Sequence, residues 1–204
     1  MRITSGLFKN RRLAAPKGAD TRPTSERLRE ALCNICQGCM EGARFLDLFA
    51  GSGAMGLEAL SRGALSCTFI DSSRDSVRSI QTNVETLQVQ SQVTIHCGNV
   101  FTWLERLSRQ GKLYDIIYAD PPYDQELVLE GQKVSYSQHL LDFIDTHPLL
   151  DSSGSLFIED SSDFKPDTSS LNRLQLVSSR RMGKSSLHEF SGLNFIEKED
   201  ERNI

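Results

Sequence analysis

Short apolar runs alternate with amphipathic segments of helical length from residue 44 onward, and this alternation limits the possible folds more than any other feature. Parallel strands joined by helices give such a pattern, because the crossover helices cover both faces of the sheet. Two further apolar runs, at residues 174–178 and 187–190, predict a C-terminal antiparallel hairpin. The sequence therefore predicts an α/β fold with a mostly parallel, seven-stranded sheet. Parallel strands are expected at residues 45–49, 66–70, 93–96, 115–119 and 155–158, and helices at residues 54–62, 74–87, 100–108 and 136–147.

The first 43 residues precede this alternation and carry a local excess of positive charge. Residues 2–4 and 12–14 flank a turn-rich stretch that predicts a small hairpin, and an amphipathic helix is expected at about residues 25–40. Residues 1–30 hold eight basic side chains against three acidic ones, a balance of +5 in a chain of net charge −4. This arm suggests contacts with phosphates, although a solvated charged face would give the same count. The candidate contacts are Lys9, Arg11, Arg12 and Lys17, with Arg180, Arg181 and Lys184 of the C-terminal hairpin extending the surface.

The spacing of three cysteines is compatible with a metal site, but the helical pattern favours a role in the hydrophobic core. Cys33, Cys36 and Cys39 follow at three-residue steps, but Cys36 and Cys39 also continue the apolar stripe of the predicted helix. Free cysteine packs like a small hydrophobe, and no nearby histidine completes a ligand set. We therefore favour a role in the core over a zinc or iron–sulfur site. No apolar run has the length of a membrane span and no apolar signal region follows the N-terminus, so a cytoplasmic location is expected.

A glycine-rich turn with the sequence GSGAMG, residues 51–56, follows the first expected strand and opens a helix. Its G-x-G-x-x-G spacing also suits NAD, with Asp71 as the partner of a ribose hydroxyl. NAD would not explain Asp47 before the turn or the acidic proline turn at residue 120. S-adenosylmethionine accounts for all of them, with its methionine part near Asp47, its ribose on Asp71 and its adenine near Asn99 and Val100. A plainer role for Asp71 is that of a helix N-cap.

The apolar run that ends at residue 119 is followed by Asp120, Pro121, Pro122 and Tyr123. The aspartate carboxylate and a main-chain carbonyl can accept both N–H hydrogens of a nucleobase amino group. The prolines fix φ and have no N–H, so the carbonyls stay in place. The tyrosine ring can stack on any base. The alternative is a buried strand closed by an ordinary proline turn.

Together these segments resemble a known family. The segment FLDLFAGSG from residue 45, with Asp71, Asn83 and the turn at residues 120–123, looks like the Rossmann-like class I methyltransferases. The N-terminal MRITSG and the segment TRPTSERLREAL at residues 21–32 resemble one branch, the RsmD family of 16S rRNA guanine-N2 methyltransferases. The resemblance runs from residue 1 to about residue 190 and includes the RMGK segment at residues 181–184.

The resemblance implies a monomeric enzyme that uses S-adenosylmethionine and no metal. Its implied target is the exocyclic N2 of a guanine in the 16S rRNA of the small ribosomal subunit or of an assembly intermediate. Asn99 departs from the pattern, because an acid is common at this position, and Cys33 replaces a usual aromatic residue. Asp120, Pro121, Pro122 and Tyr123 would hold the guanine, and Arg22, Thr24, Asp47, Gly51, Gly53, Asp71, Asn99, Val100 and Asp120 would line the cofactor site.

The expected organisation has three parts. Residues 1–43 form the basic hairpin-and-helix extension, residues 44–196 the methyltransferase domain and residues 197–204 a charged tail. Residues 125–135 are polar without clear periodicity, and we expect a mobile loop on the substrate side or, equally, a disordered connector.

Other functions stay open at this point. A DNA adenine-N6 or cytosine-N4 methyltransferase could use the same proline turn, but such enzymes usually carry a large target-recognition domain, for which 204 residues leave little room. An inactive methyltransferase-like protein that binds RNA during ribosome assembly would have no use for the glycine turn and Asp120. An NAD-dependent reductase would bind a dinucleotide instead.

Overall fold

A computed structural model describes residues 1–16, 26–123, 125–129 and 131–193 of the chain. Nine strands and five α-helices lie in these ranges, and short 3-10 turns occur at Cys36–Gly38 and Gln90–Gln92. The strands are β1 (Arg44–Leu48), β2 (Ser66–Asp71), β3 (Val93–Cys97), β4 (Tyr114–Ala119), β5 (Glu126–Leu129), β6 (Gln132–Ser135), β7 (Leu150–Ser161), β8 (Leu174–Met182) and β9 (Ser185–Gly192). The helices are α1 (Glu26–Ile35), α2 (Ala54–Ser61), α3 (Arg74–Leu87), α4 (Val100–Arg109) and α5 (Tyr136–Thr146).

A seven-stranded sheet with the order β3-β2-β1-β4-β7-β9-β8 forms the centre of the fold. The first five strands in this order are parallel, and β9 pairs antiparallel with both β7 and β8. The predicted mostly parallel sheet with an antiparallel C-terminal hairpin is therefore confirmed. The strands β7 and β8 are longer than expected, because polar residues at their ends continue the hydrogen-bonded ladder without adding to the apolar pattern.

The middle strand, β4, separates two hydrophobic clusters. Its Ile116 and Tyr118 belong to the cluster that also holds the buried residues of α1, α2 and α3. Its Ile117 and Ala119 belong to the cluster formed with α4 and α5. Because successive side chains of a strand point to opposite faces, a continuous apolar run buries both faces of the sheet.

The N-terminal hairpin lies along α2 and α3 rather than apart from the sheet. Its two arms pair through a single antiparallel bridge between Arg2 and Arg12, so it is less regular than expected. Ile3 and Leu13 are buried in the same cluster as the apolar residues of α2. At the tip of the hairpin, the Leu7 N–H donates to the Ser61 carbonyl at 2.7 Å, at the end of α2 that is remote from the glycine turn.

Two expectations about local structure are wrong. The helix expected to reach about residue 40 ends at Ile35, and Cys39 is exposed after the 3-10 turn, whereas Cys33 and Cys36 are buried. The disordered connector expected as one alternative for residues 125–135 is also wrong: β5 and β6 pair antiparallel across a turn at Gly131, whose φ is +82°. The alternation was hidden because each strand has only four residues.

None of the helices in the described ranges combines the length and the apolar character that crossing a membrane requires. The charged tail expected at residues 197–204 lies outside the described residues.

Candidate active site

The strand order reverses between β1 and β4. The chain moves outward from β1 to β2 and β3, and then returns to pair β4 with the opposite side of β1. In open α/β sheets, ligands bind beyond the carboxyl ends of the strands at such a switch point. Asp71 ends β2 and Asp120 directly follows β4, while Asp47 is the penultimate residue of β1. The structure therefore brings these three sequence-predicted acids to the same edge of the sheet.

Asp47 is a buried carboxyl group with 1% of its surface exposed. Its Oδ2 accepts the main-chain N–H of Gly56 at 2.9 Å, in the first turn of α2. Burial raises the pKa of Asp47 well above its usual range, against the lowering effect of the Gly56 N–H, and the charges of Asp120 and Asp71 raise it further. A cation next to Asp47 would offset the cost of burying its negative charge and the repulsion by Asp120 and Asp71.

Asp71 holds the backbone at two points beyond the end of β2. Its Oδ2 accepts the Gly51 N–H and its Oδ1 accepts the Ser73 N–H, both at 2.8 Å. The N-cap of α3 is Ser73, whose hydroxyl accepts the Ser76 N–H, so Asp71 does not cap this helix itself. Each carboxylate oxygen keeps further acceptor capacity for a hydroxyl donor.

The glycine turn needs two of its glycines for different reasons. Gly53 has φ +76°, precedes α2, and leaves little room for a side chain beside Ile80 and Phe69. Gly56 lies inside α2, and a Cβ atom there would overlap Cys67 and Phe69 of β2. The second glycine thus shapes the turn, and the third allows close packing of helix and strand.

The expected adenine contact at Asn99 and Val100 lies next to Asp71. Gly98 donates its N–H to the Asp71 carbonyl at 2.9 Å, which fixes this turn beside β2. The Asn99 side-chain oxygen caps α4 by accepting the Thr102 N–H at 3.1 Å. The Val100 side chain is buried in the core, so only its main chain, in the first turn of α4, is suited to contact a ligand.

The proline turn lies against the end of β1. The Asp120 N–H donates to the Leu48 carbonyl at 3.4 Å, and the Tyr123 hydroxyl donates to Asp120 Oδ1 at 2.8 Å. Burial raises the pKa of Tyr123, and the negative charges of Asp120 and Glu159 raise it further. The turn and the glycine run therefore share one edge of the sheet, as the cofactor hypothesis requires.

Two contacts at this edge were missed by the sequence analysis. Phe49, with φ +56°, directs its ring edge-on to Tyr136 at 6.1 Å between centroids. Buried Glu159 on β7 accepts the Tyr118 hydroxyl at 2.7 Å. Contacts between distant segments are not visible in periodicity, although Glu159 directly follows the strand expected at residues 155–158, as Asp71 follows the strand expected at residues 66–70.

The basic candidates lie on two separate parts of the fold. Arg181 is exposed near the end of β8, and Ser185, the first residue of the following β9, hydrogen-bonds Tyr123. Lys9 lies at the tip of the N-terminal hairpin, and Arg11 donates to the Thr86 carbonyl near the end of α3. Arg12 is exposed opposite Arg2. Lys17, Arg22 and Thr24 lie outside the described residues.

The residues of this edge fit S-adenosylmethionine. A buried carboxylate at Asp47 suits an ammonium group, and the carboxylate at Asp71 suits a ribose diol. A Cβ atom added at Gly51 would meet no other atom within 4 Å, so the main chain of the turn is open to a ligand. Among the described residues, no group of three or more histidine, cysteine or acidic side chains could hold a metal ion.

Comparison with known proteins identifies the family. The family model described as Conserved hypothetical protein 95 matches residues 1–191. The chain belongs to this family, that of the RsmD-type methyltransferases. YlbH of Bacillus subtilis (strain 168), named as a candidate rRNA methyltransferase, is 32% identical over 159 residues, which cover 78% of this chain and 82% of that relative.

Further relatives agree with the RsmD assignment. Ribosomal RNA small subunit methyltransferase D of Escherichia coli (strain K12) is 35% identical over 130 residues, and the match spans 64% of each chain. The solved structure of the hypothetical protein TTHA0928 from Thermus thermophilus superposes with a TM-score of 0.76 at 25% identity, covering 94% of this chain and 99% of that one. The fold is thus shared along nearly the whole chain.

Proposed function

We propose that this chain transfers a methyl group from S-adenosylmethionine to the exocyclic N2 of a guanine in 16S rRNA. The names of its RsmD relatives support rRNA of the small subunit as the substrate class. The observation that carries the proposal is Asp120, a carboxylate at the topological switch point, bonded to Tyr123 and close enough to raise the pKa of buried Asp47 beyond the effect of burial.

Asp120 has the central role in this proposal. The N2 lone pair of guanine is delocalised into the ring, so the amino group is a poor nucleophile. Hydrogen bonds from its two N–H groups to Asp120 and to a main-chain carbonyl of the proline turn would favour a pyramidal nitrogen with a directed lone pair. Positioning of this kind can supply a large part of a rate enhancement.

The charge of Asp120 also suits the reaction. When bound, S-adenosylmethionine supplies a methyl group activated by its positive sulfur. As the new N–C bond forms, positive charge develops on N2 and one proton must leave it. The Asp120 carboxylate faces that charge and can accept the proton, while the Tyr123 hydroxyl holds the carboxylate in one orientation.

The remaining parts of the proposal concern RNA and context. Tyr123 would stack on the base, while Arg181 and the basic residues of the N-terminal hairpin would contact phosphates. Residues 1–43 would act as a substrate-side extension of the domain at residues 44–196. We further propose that a monomer acts on the assembled small subunit or on an assembly intermediate.

The test uses small subunits from cells that lack this protein. They are incubated with the protein and methyl-labelled S-adenosylmethionine, and the rRNA is digested and analysed by mass spectrometry. We expect N2-methylguanosine at one position, no product with Asp120→Ala, and normal product with Asp163→Ala, which removes an exposed acid near the same edge. Methyl transfer to another base atom, or to DNA instead of rRNA, would contradict the proposal. Donor binding without any transfer would favour the inactive assembly protein.

A further inference from the structure

Asn83 on α3 joins two segments that are far apart in the chain. Its side chain is 1% exposed. The Oδ1 atom accepts the Ala14 N–H at 2.7 Å, and Nδ2 donates to the Ala14 carbonyl at 3.0 Å. The same Nδ2 donates to the Ser52 carbonyl at 3.0 Å. One amide therefore binds both the N-terminal segment and the glycine turn.

The Ser52 carbonyl belongs to the peptide unit that leads into Gly53. The N–H of that peptide unit donates to the Ala50 carbonyl at 2.7 Å. Two residues earlier, the Gly51 N–H is held by Asp71 at 2.8 Å. With the Asn83 bond removed, the Ser52 carbonyl would be buried next to α3 without that partner, which favours a different orientation of the turn.

On the other side of Asn83, Ala14 is where the N-terminal hairpin returns to the glycine turn. The start of the hairpin reaches the same place, since the Met1 sulfur lies 3.6 Å from the Ser52 hydroxyl. The tip is anchored separately at Ser61, and Glu58 accepts the N–H groups of Thr4 and Ser5. Asn83 thus links the returning part of the hairpin, at Ala14, to the main chain of the glycine turn, at Ser52.

We propose that Asn83 is a positioning residue that couples docking of the N-terminal arm, residues 1–16, to binding of the methyl donor. The proposal rests on the proposed function, since it takes the glycine turn as the donor site. When a ligand holds the turn, the Ser52 carbonyl and the Ala14 peptide are both aligned on Asn83. The arm then opens less often, and its amide hydrogens exchange more slowly. By reciprocity, a docked arm strengthens donor binding by the same factor.

Only an amide of this length satisfies all three bonds. An aspartate would retain the acceptor for the Ala14 N–H but would set its second oxygen against two carbonyl groups. Alanine at position 83 would leave the Ala14 N–H, the Ala14 carbonyl and the Ser52 carbonyl without their side-chain partner. Proline at position 14 would remove the Ala14 N–H from the other side of the contact, without altering α3.

The experiment measures S-adenosylhomocysteine affinity by calorimetry and hydrogen exchange of residues 11–16 with and without that ligand. In the unmodified protein we expect the ligand to slow exchange in this segment. Ala14→Pro should weaken binding about tenfold, the effect of one lost hydrogen bond. Asn83→Asp loses both bonds that Nδ2 donates and should weaken binding at least as much, and both variants should abolish the ligand-dependent protection. Val84→Ala, which removes buried methyl groups from the neighbouring position of α3, should lower the melting temperature but keep both properties.

The outcomes separate this inference from the proposed function. If the unmodified protein fails to bind S-adenosylhomocysteine, the proposed function itself fails. If it binds but both coupling variants behave like the unmodified protein, or Val84→Ala loses the protection as completely as they do, Asn83 has no coupling role. The melting curve shows whether each variant folds. If Asn83→Asp does not fold, Ala14→Pro decides the question, and the reverse also holds.

Discussion

The hydroxyl of Tyr123 donates to Asp120 Oδ1 at 2.8 Å, so the ring expected to stack on the target base also orients the carboxylate expected to bind its amino group. This bond spans only three residues and closes the proline turn on itself. It gives the turn a defined shape before any substrate arrives. The two roles of Tyr123 can therefore be separated by removing the hydroxyl and keeping the ring.

Tyr123→Phe should lower the turnover number for rRNA methylation by about tenfold to a hundredfold, because a hydrogen bond to a charged group contributes roughly 1.5–3 kcal/mol. The affinity for S-adenosylhomocysteine should stay unchanged, since the glycine turn is untouched. Tyr123→Ala should lose the stacking ring as well and fall further in activity. Single-turnover kinetics on small subunits measure both effects. Equal activity of the phenylalanine variant and the unmodified protein would show that the bond has no part in orienting Asp120.

Asp47→Asn should change how stability depends on pH. Burial, and then the charges of Asp120 and Asp71, raise the folded-state pKa of Asp47 above its ordinary value of 3.8, so the folded chain binds more protons than the unfolded chain just above that pH. The free energy of unfolding therefore falls as the pH rises from about 4, by up to about 1.4 kcal/mol per pH unit for this group. The Asp47→Asn variant does not titrate at this position, so its free energy of unfolding does not fall with pH for this reason.

Urea unfolding at a series of pH values above about 4, without ligand, compares the two proteins where the unfolded chain has released this proton. The stability of Asp47→Asn relative to the unmodified protein should increase with pH, while its affinity for S-adenosylhomocysteine should decrease, because the ammonium group of the ligand loses its carboxylate. Parallel pH curves would mean that Asp47 titrates as an ordinary surface acid does.

Gly56→Ala should destabilise the protein by about 1–3 kcal/mol, the usual cost of overpacking a core. The added methyl group would overlap Cys67 and Phe69 on β2, and the better helix propensity of alanine offsets only part of that cost. Gly38→Ala is the matched control, because a Cβ atom there meets nothing within 4 Å. Urea denaturation of both variants gives the comparison. If both are equally stable, α2 and β2 are not packed as closely as the structure has them.

The acids at the strand ends could be predicted because hydrophobic periodicity locates each strand, and parallel strands share one carboxyl edge. Asp47, Asp71 and Asp120 needed no further information. The Asn83 contact with Ala14 could not be predicted, since 69 residues separate the partners and no periodic pattern connects them. The positive φ of Phe49 could not be predicted either, because bulky residues rarely adopt this conformation. Local patterns thus reveal elements and their ends, while contacts between distant segments come only with the fold.

The positions of the basic residues predict unequal contributions to RNA binding. Arg181 lies near the start of β9, where Ser185 contacts Tyr123, whereas Lys9 lies at the hairpin tip, next to the remote end of α2. Arg181→Glu should therefore weaken rRNA binding more than Lys9→Glu, and should reduce the slope of log affinity against log salt by about one for the lost phosphate contact. Lys112→Glu, an exposed charge change just after α4, serves as the control for net charge.

Filter binding of small subunits at several salt concentrations, with S-adenosylhomocysteine affinity measured in parallel, tests this order. Ligand affinity should be the same in all three variants, because none of the replaced side chains lies at the glycine turn. If Lys9→Glu has the larger effect, the RNA must extend along α2 to the hairpin tip, and the N-terminal arm would then be the main phosphate-binding surface. If all three variants lose the same affinity, the contribution is that of net charge alone, since position would make no difference.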